Sequence, residues 1–188
     1  MTSLSSSNAS RDFTEEHLRG SGTDKVVKID LFGVIGFTPD TSMFFTEEGL
    51  ATRVIAQIDA AEEDPRVAAI LLVVDSPGGG VTASDILYER LLDFKASRED
   101  RKVVALFRDI AASGGYYVGA AADKIVAHRT TITGSIGVLL SALNVTGLSD
   151  KIGVTSITIK SGKNKDLLNP FRAVRPEETN MLQRTVDD

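Results

Sequence analysis

The sequence contains no cysteine. That absence excludes thiol nucleophiles, zinc-thiolate sites and any disulfide framework, while leaving the redox compartment open. Histidine is almost as scarce: His17 and His128 are the only two, and His17 falls in the N-terminal segment, so a Ser-His-Asp triad has only His128 to use. Positive charge is in deficit. Lys and Arg number 21 against 26 Asp and Glu, a net charge of -5, and no basic stripe appears. Binding phosphates needs a basic face, so nucleic acid is excluded as a partner. Long hydrophobic runs are missing as well. The apolar run Ala68–Val74 falls far short of the roughly 20 residues that cross a bilayer, so no transmembrane helix is expected. Residues 1–24 lack a basic n-region and an apolar h-region, which excludes a signal peptide or anchor there. They are rich in Ser, Thr, Asn and charge and read as a flexible leader, with a short helical stretch at Phe13–Leu18.

What is present fits one soluble globular domain over residues 25–188, with 42% hydrophobic and 25% charged residues. A chain of this length buries roughly 70% of its unfolded surface and needs neither disulfide nor metal to hold its fold. From Lys25 onward, short β-rich runs alternate with helical segments, an α/β pattern. Val26–Leu31, Val67–Val74 and Val103–Phe107 read as strands, the second buried on both faces. Leu50, Val54, Ile58 and Ala61 recur at spacings of three and four, which predicts a helix over Glu47–Glu62 ended by Asp64-Pro65. A second helix opens on Thr82-Ala83-Ser84-Asp85, spaced like a capping box, and carries Ile86, Leu87, Leu91 and Phe94 on one side. A third, Gly114–Ala122, is short and small-residued, so it should pack closely on the sheet. Lys124–Ala127, Ser135–Leu139 and Thr155–Lys160 read as further strands, before a polar, helical C-terminal segment.

Two glycine-rich turns each follow a strand and precede a helix: Asp75-Ser76-Pro77-Gly78-Gly79-Gly80 and Ala111-Ala112-Ser113-Gly114-Gly115-Tyr116-Tyr117. Both belong at the carboxyl edge of the sheet, where ligands of open α/β folds bind and where helix N-termini offer unpaired N–H groups. Ser113 there would face outward, with the Gly114 N–H and one from Gly78–Gly80 able to receive an oxyanion. A serine before a helix also serves as an N-cap, and glycine clusters also serve tight turns. No phosphate-loop pattern occurs. A serine nucleophile needs a base. The residues offer His128, whose ordinary reading is a surface-loop histidine, and Lys160, Lys163 and Lys165, whose run reads from the residues alone as a solvated basic turn; a lysine can serve once burial disfavours its ammonium form.

In order along the chain, Asp75-Ser76-Pro77-Gly78-Gly79, Ala111-Ala112-Ser113-Gly114-Gly115-Tyr116-Tyr117, Thr131-Ile132-Thr133-Gly134-Ser135-Ile136-Gly137-Val138, and Lys160-Ser161-Gly162 through Lys165-Asp166 resemble the signal peptide peptidase A family, the S49 serine peptidases. The resemblance spans roughly Lys25 to Arg175. It implies a single-domain ClpP/crotonase-like fold of repeated β-β-α units, with Ser113 as nucleophile and Lys165, in an S-G-x-x-K-D pattern, as general base. It also implies an oxyanion hole from Gly78, Gly79 and Gly114, and it places Ser135 beside the dyad, able to hydrogen-bond the lysine. Asp75 would orient the glycine loop by accepting backbone N–H groups, and Tyr116 and Tyr117 either line a cleft or pack in the core. No cofactor or metal is implied.

The expected activity is that of a serine endopeptidase degrading cleaved signal peptides or other unstructured, membrane-released peptides. The intact protein is expected to be a homo-oligomer. Family members carry an N-terminal membrane anchor and extend beyond the point where this chain stops, so a bacterial-type membrane association and a C-terminally incomplete catalytic domain are expected. Two rival readings share the fold. One is a crotonase-type enzyme that stabilises an acyl-CoA enolate in the same paired-amide hole; the other is a non-catalytic scaffold of a membrane complex.

Overall fold

In the computed structural model, residues 13–17, 22–41 and 46–187 are described. Most of the expected leader lies outside them, as does Leu18; residues 13–17 are exposed and form no helix. The chain divides into two compact units, Met1–Ile136 and Gly137–Asp188.

The first unit alternates strand and helix: β1 (Lys25–Phe32), a short antiparallel pair β2 (Asp40–Thr41) and β3 (Thr46–Glu47), α1 (Leu50–Glu63), β4 (Val67–Ser76), α2 (Val81–Ala96), β5 (Lys102–Ala112), α3 (Gly114–Gly119), β6 (Lys124–Ala127) and β7 (Ile132–Gly134). The main sheet runs β1-β4-β5-β6, and all of its pairings are parallel. β7 shares the outer edge of β5, pairing with Ile110–Ala112 where β6 has left off. This is the expected α/β architecture. Every strand of this sheet therefore points its carboxyl end the same way, and the two glycine turns emerge on one rim.

The core lies between the sheet and the helices. Ile29, Leu31, Ile70, Leu72, Val74, Val103, Ala105 and Phe107 alternate along their strands and are buried with Val54, Ile58 and Ala61 of α1 and Leu87, Leu91 and Phe94 of α2. Those helical residues are the stripes read from the sequence; Ile86, expected on the buried side of α2, is exposed. α2 also begins one residue before the predicted cap. Gly80 is its N-cap and no side chain caps it, so Thr82 and Asp85 do not form a capping box. α3 is shorter than expected, but it does press on the sheet. A Cβ on Gly115 would come within 2.8 Å of the Ser76 carbonyl oxygen, and one on Gly119 within 2.5 Å of the Phe107 ring. These two glycines, four residues apart, give the helix a face without side chains.

The second unit contains α4 (Thr146–Ile152) and α5 (Pro176–Asp187). α5 realises the helical character read at the C-terminus. α4 was not anticipated, although it is bounded by ordinary signals: Asn144 Oδ1 accepts the Thr146 N–H at 3.1 Å, and Gly153 ends it at φ +73°. The strands expected over Ser135–Leu139 and Thr155–Lys160 do not form. Among the described residues no strand pairs with either segment, and Ile157 and Ile159 are 86% and 96% exposed. β-propensity alone supplies no ladder partner.

Candidate active site

The backbone turns sharply at Ser113. β5 ends at Ala112, α3 begins at Gly114, and Ser113 joins them at φ 50°, ψ -121°. Residues with a Cβ rarely occupy that region, and occupying it costs on the order of 1–3 kcal/mol, which the surrounding structure must offset. The surroundings do so by hydrogen bonds on both sides: the Ser113 N–H donates to Gly134 O at 2.8 Å, and the Ser113 carbonyl accepts the Tyr117 N–H at 2.9 Å. Ser113 occupies the N-cap position of α3, but its side chain makes no cap hydrogen bond. It remains half-buried at the rim.

The other glycine turn meets it there. Gly78 stands at φ +102°, and a Cβ on it would lie 2.7 Å from the Gly114 nitrogen and 2.9 Å from the Ser113 Cβ. Only glycine permits both that conformation and that approach. The Gly79 nitrogen in turn lies 3.3 Å from where a Gly114 Cβ would stand. The turn is fixed to the end of β1: Ile35 N–H donates to Gly78 O and Gly80 N–H to Ile35 O, each at 2.9 Å. Among the described residues, the N–H groups of Gly79 and Gly114 have no acceptor, whereas the Gly78 N–H is already donated to Ser76 Oγ at 3.1 Å. Two unengaged backbone donors beside a half-buried serine at the rim are what a developing oxyanion requires.

Asp75 does something different from its expected role. Val74 pairs with Phe107 and Ser76 with Ala111, so three residues of β5 bulge opposite Asp75. Its carboxylate accepts the Ile110 N–H at 3.2 Å, satisfying a donor that the bulge removes from the ladder. It contacts β5 and not the glycine loop. Ser76, which sequence reasoning passed over, holds that loop instead. Ser84 was missed as well: it is buried on α2, donates to Gly80 O at 3.0 Å, and its Oγ lies 2.3 Å from the place of a Gly114 Cβ.

Ser135 follows Gly134 at φ 52° and is exposed, one residue from the carbonyl that holds Ser113. Thr133 Oγ1 ties this turn to Ala111 O at 2.8 Å. The tyrosine pair divides: Tyr116 packs edge-on against Phe107 in the core, while Tyr117 is exposed, stacks near Tyr88 and donates to Asp85 at 2.9 Å. The Asp85 carboxylate raises the Tyr117 phenol above its ordinary range by accepting that hydrogen bond. His128 engages Thr130 at 2.8 Å in an exposed turn, and His17 is exposed.

Lys165 belongs to the second unit, in the turn that follows Ser161-Gly162. There Lys160 Nζ donates to Asp166 Oδ1 at 2.6 Å and to Lys163 O at 3.1 Å. Asp166 also accepts from Arg172 Nε at 2.9 Å, and Arg172 and Arg175 both grip the buried Glu178. Arg172, and then Lys160, hold the Asp166 carboxyl well below the usual carboxylate range. Arg172, with Arg175, lowers Glu178 to about 2. Lys160 is thus committed to an ion pair, while among the described residues Lys163 and Lys165 have no side-chain partner. The described residues contain no group of His, Asp and Glu arranged to hold a metal.

Comparison with known proteins bears on the same segments. Residues 95–188, half of the chain, match Peptidase family S49. An Enterococcus faecium protein assigned as a signal peptide peptidase SppA is 39% identical over 178 residues, covering 94% of this chain and 51% of its own length. The chloroplastic serine protease SPPA of Arabidopsis thaliana is 37% identical over 137 residues, covering 72% of this chain and 20% of its own. A solved structure of the 1510-N membrane-bound stomatin-specific protease, in a serine-to-alanine form, aligns with a TM-score of 0.48 at 19% identity over 65% of this chain and 52% of that one. The chain spans about half the length of the Enterococcus relative.

Proposed function

The chain belongs to peptidase family S49, and from that premise we propose that it is a serine endopeptidase domain in which Ser113 is the nucleophile and Lys165 the general base. The observation that carries this reading is the backbone of Ser113: a non-glycine residue at φ 50°, ψ -121°, held beside two unengaged amides. Strain of that kind persists where a turn must present a side chain outward.

In the proposed reaction, the neutral amine of Lys165 takes the Ser113 Oγ proton as Oγ bonds to the peptide carbonyl carbon. The oxyanion accepts hydrogen bonds from the Gly79 and Gly114 N–H groups. Collapse breaks the C–N bond, and the Lys165 ammonium returns the proton to the leaving amine. Water then attacks the acyl-enzyme, with Lys165 as base again. Lys160, paired with Asp166, serves structure instead. Gly78 supplies the turn geometry, since its own N–H is taken by Ser76.

The proposed substrates are cleaved signal peptides and other unstructured, membrane-released peptides, in line with the names of the relatives. A groove of about 850 Å³ beside the Gly80 end of the loop, with Val34, Phe37 and Val81 exposed along it, suits apolar side chains. The intact protein is proposed to be a homo-oligomer, supported by the exposed Leu139, Leu143, Ile157 and Ile159. No helix of the described residues is long and apolar enough to cross a membrane; the intact protein is nonetheless proposed to associate with a membrane. An acyl-CoA reading is less supported, because it needs an acid-base carboxylate and Asp75 is spent on Ile110.

The test is covalent labelling with a fluorophosphonate followed by mass spectrometry of the intact protein and its peptides. A single adduct on Ser113, absent from Ser113→Ala, is expected. An unmodified Ser113 in protein that hydrolyses peptides would overturn the assignment.

A further inference from the structure

Ser76 is fully buried, yet its hydroxyl is used twice. It donates to Gly33 O at 2.6 Å and accepts the Gly78 N–H at 3.1 Å. Gly33 is where the chain leaves β1, and Gly78 is the positive-φ residue of the glycine turn. The Ser76 carbonyl oxygen meanwhile lies against Gly115 of α3. One residue therefore touches three pieces of the rim: the exit of β1, the glycine turn and the helix that follows Ser113.

We infer that Ser76 is a positioning residue for the oxyanion hole, selecting which glycine amide is available and fixing where it points. The inference rests on the proposed function above. By accepting the Gly78 N–H it turns that donor inward, so Gly79 is left as the loop's open donor opposite Gly114. The hydroxyl's own proton goes to Gly33 O, which fixes the oxygen's lone pair toward Gly78. Pro77, between them, has no N–H to compete and limits the turn's freedom. A small loss of register at this turn would misplace the Gly79 N–H relative to Ser113 by a fraction of an ångström, enough to weaken a transition-state hydrogen bond without touching ground-state binding.

The first test needs no variant. In the wild-type chain, amide exchange should find the Gly78 N–H protected and the Gly79 N–H fast; equal rates at the two would overturn the inference. In Ser76→Ala, Gly78 exchange should accelerate at least about tenfold while Ile70 and Leu72 in the strand stay protected, since only the local bond is lost. For peptide hydrolysis, kcat should fall about tenfold to a hundredfold with KM within about twofold, less than the loss on deleting a hole donor outright. Affinity for a peptide aldehyde, which forms the oxyanion, should weaken in step with kcat, whereas a product peptide should bind unchanged. A raised KM at constant kcat, or unchanged exchange at Gly78, counts against Ser76. Should Ser113→Ala retain full hydrolysis, the nucleophile assignment fails, and the exchange measurements still decide the role of Ser76.

Discussion

The Ser113 N–H donates to the Gly134 carbonyl at 2.8 Å, so the strained residue of one turn is held by the positive-φ residue of another. The bond extends the parallel β5–β7 ladder one step past its last pair, Ala112 with Gly134, into a conformation that side chains disfavour. The strain is testable as stability. Ser113→Gly removes the Cβ that disfavours φ 50°, and Ser113→Ala keeps it. The glycine variant should be the more stable by about 1 kcal/mol, the order of the strain less the extra chain entropy of glycine. Both should be inactive. Denaturant unfolding of the pair measures it, and equal midpoints would show that Ser113 is unstrained.

Gly78 and Gly134 both have positive φ but differ in their surroundings. A Cβ on Gly78 would strike the Gly114 nitrogen at 2.7 Å, while nothing lies within 4 Å of one on Gly134. Gly134→Ala should therefore carry only the backbone cost, roughly 1–2 kcal/mol. Gly78→Ala carries that cost and also wedges the two turns apart, so its kcat should fall a hundredfold or more, as when a hole donor is removed. Parallel melting curves and turnover measurements separate the two effects. Similar turnover in both variants would mean that the approach of Gly78 to Gly114 is irrelevant to hydrolysis.

Local pattern made part of this architecture readable, and the boundary of legibility is physical. α1 could be read because Leu50, Val54, Ile58 and Ala61 declare their buried face by spacing, and all four are buried. The Ser113 turn could be found because glycine runs after apolar strands mark the carboxyl rim of an α/β sheet. Ser76 could not. Its function depends on Gly33, 43 residues away, and within its own segment it reads as an ordinary turn serine. Asp75 adjoins the loop in sequence, which points to the loop as its partner; the bulge in β5 that engages it is a property of register. Thr155–Lys160 has strand composition but no neighbouring strand, and composition does not reveal which edge is available. Residue type alone does not choose among Lys160, Lys163 and Lys165, because a contact such as the Lys160–Asp166 ion pair is made only by the folded chain.

That ion pair sets Lys160 apart, and the proposed dyad sets Lys165 apart from Lys163. Lys165→Ala should abolish peptide hydrolysis, and Lys163→Ala should leave it nearly unchanged. Lys160→Ala should act through stability, because it takes one partner from Asp166 and leaves Arg172 as its principal one. Initial rates for the three variants, alongside their melting temperatures, provide the check. Equal losses of activity at Lys163 and Lys165 would sink the assignment of the base.

Acid should loosen the network around Lys165 before neutral conditions threaten it. Arg172 lowers both the Asp166 and Glu178 carboxyls from ordinary values of 3.8 and 4.5, Glu178 to about 2. A carboxyl whose folded pKa lies below its unfolded one contributes stability that is present above the unfolded pKa and lost as pH falls through the folded one. The contribution is therefore whole above about pH 4.5 and fades between there and about pH 2. Because Arg172 and Arg175 are partly exposed, salt should reduce it. Glu178→Gln keeps the shape but removes the charge, so it should lower stability at neutral pH and flatten the decline below pH 4.5. Urea midpoints and amide exchange in α5, measured from pH 7 to pH 2.5, test this directly. A wild-type and a Glu178→Gln profile that run parallel throughout that range would show that the Glu178 charge contributes nothing to holding α5.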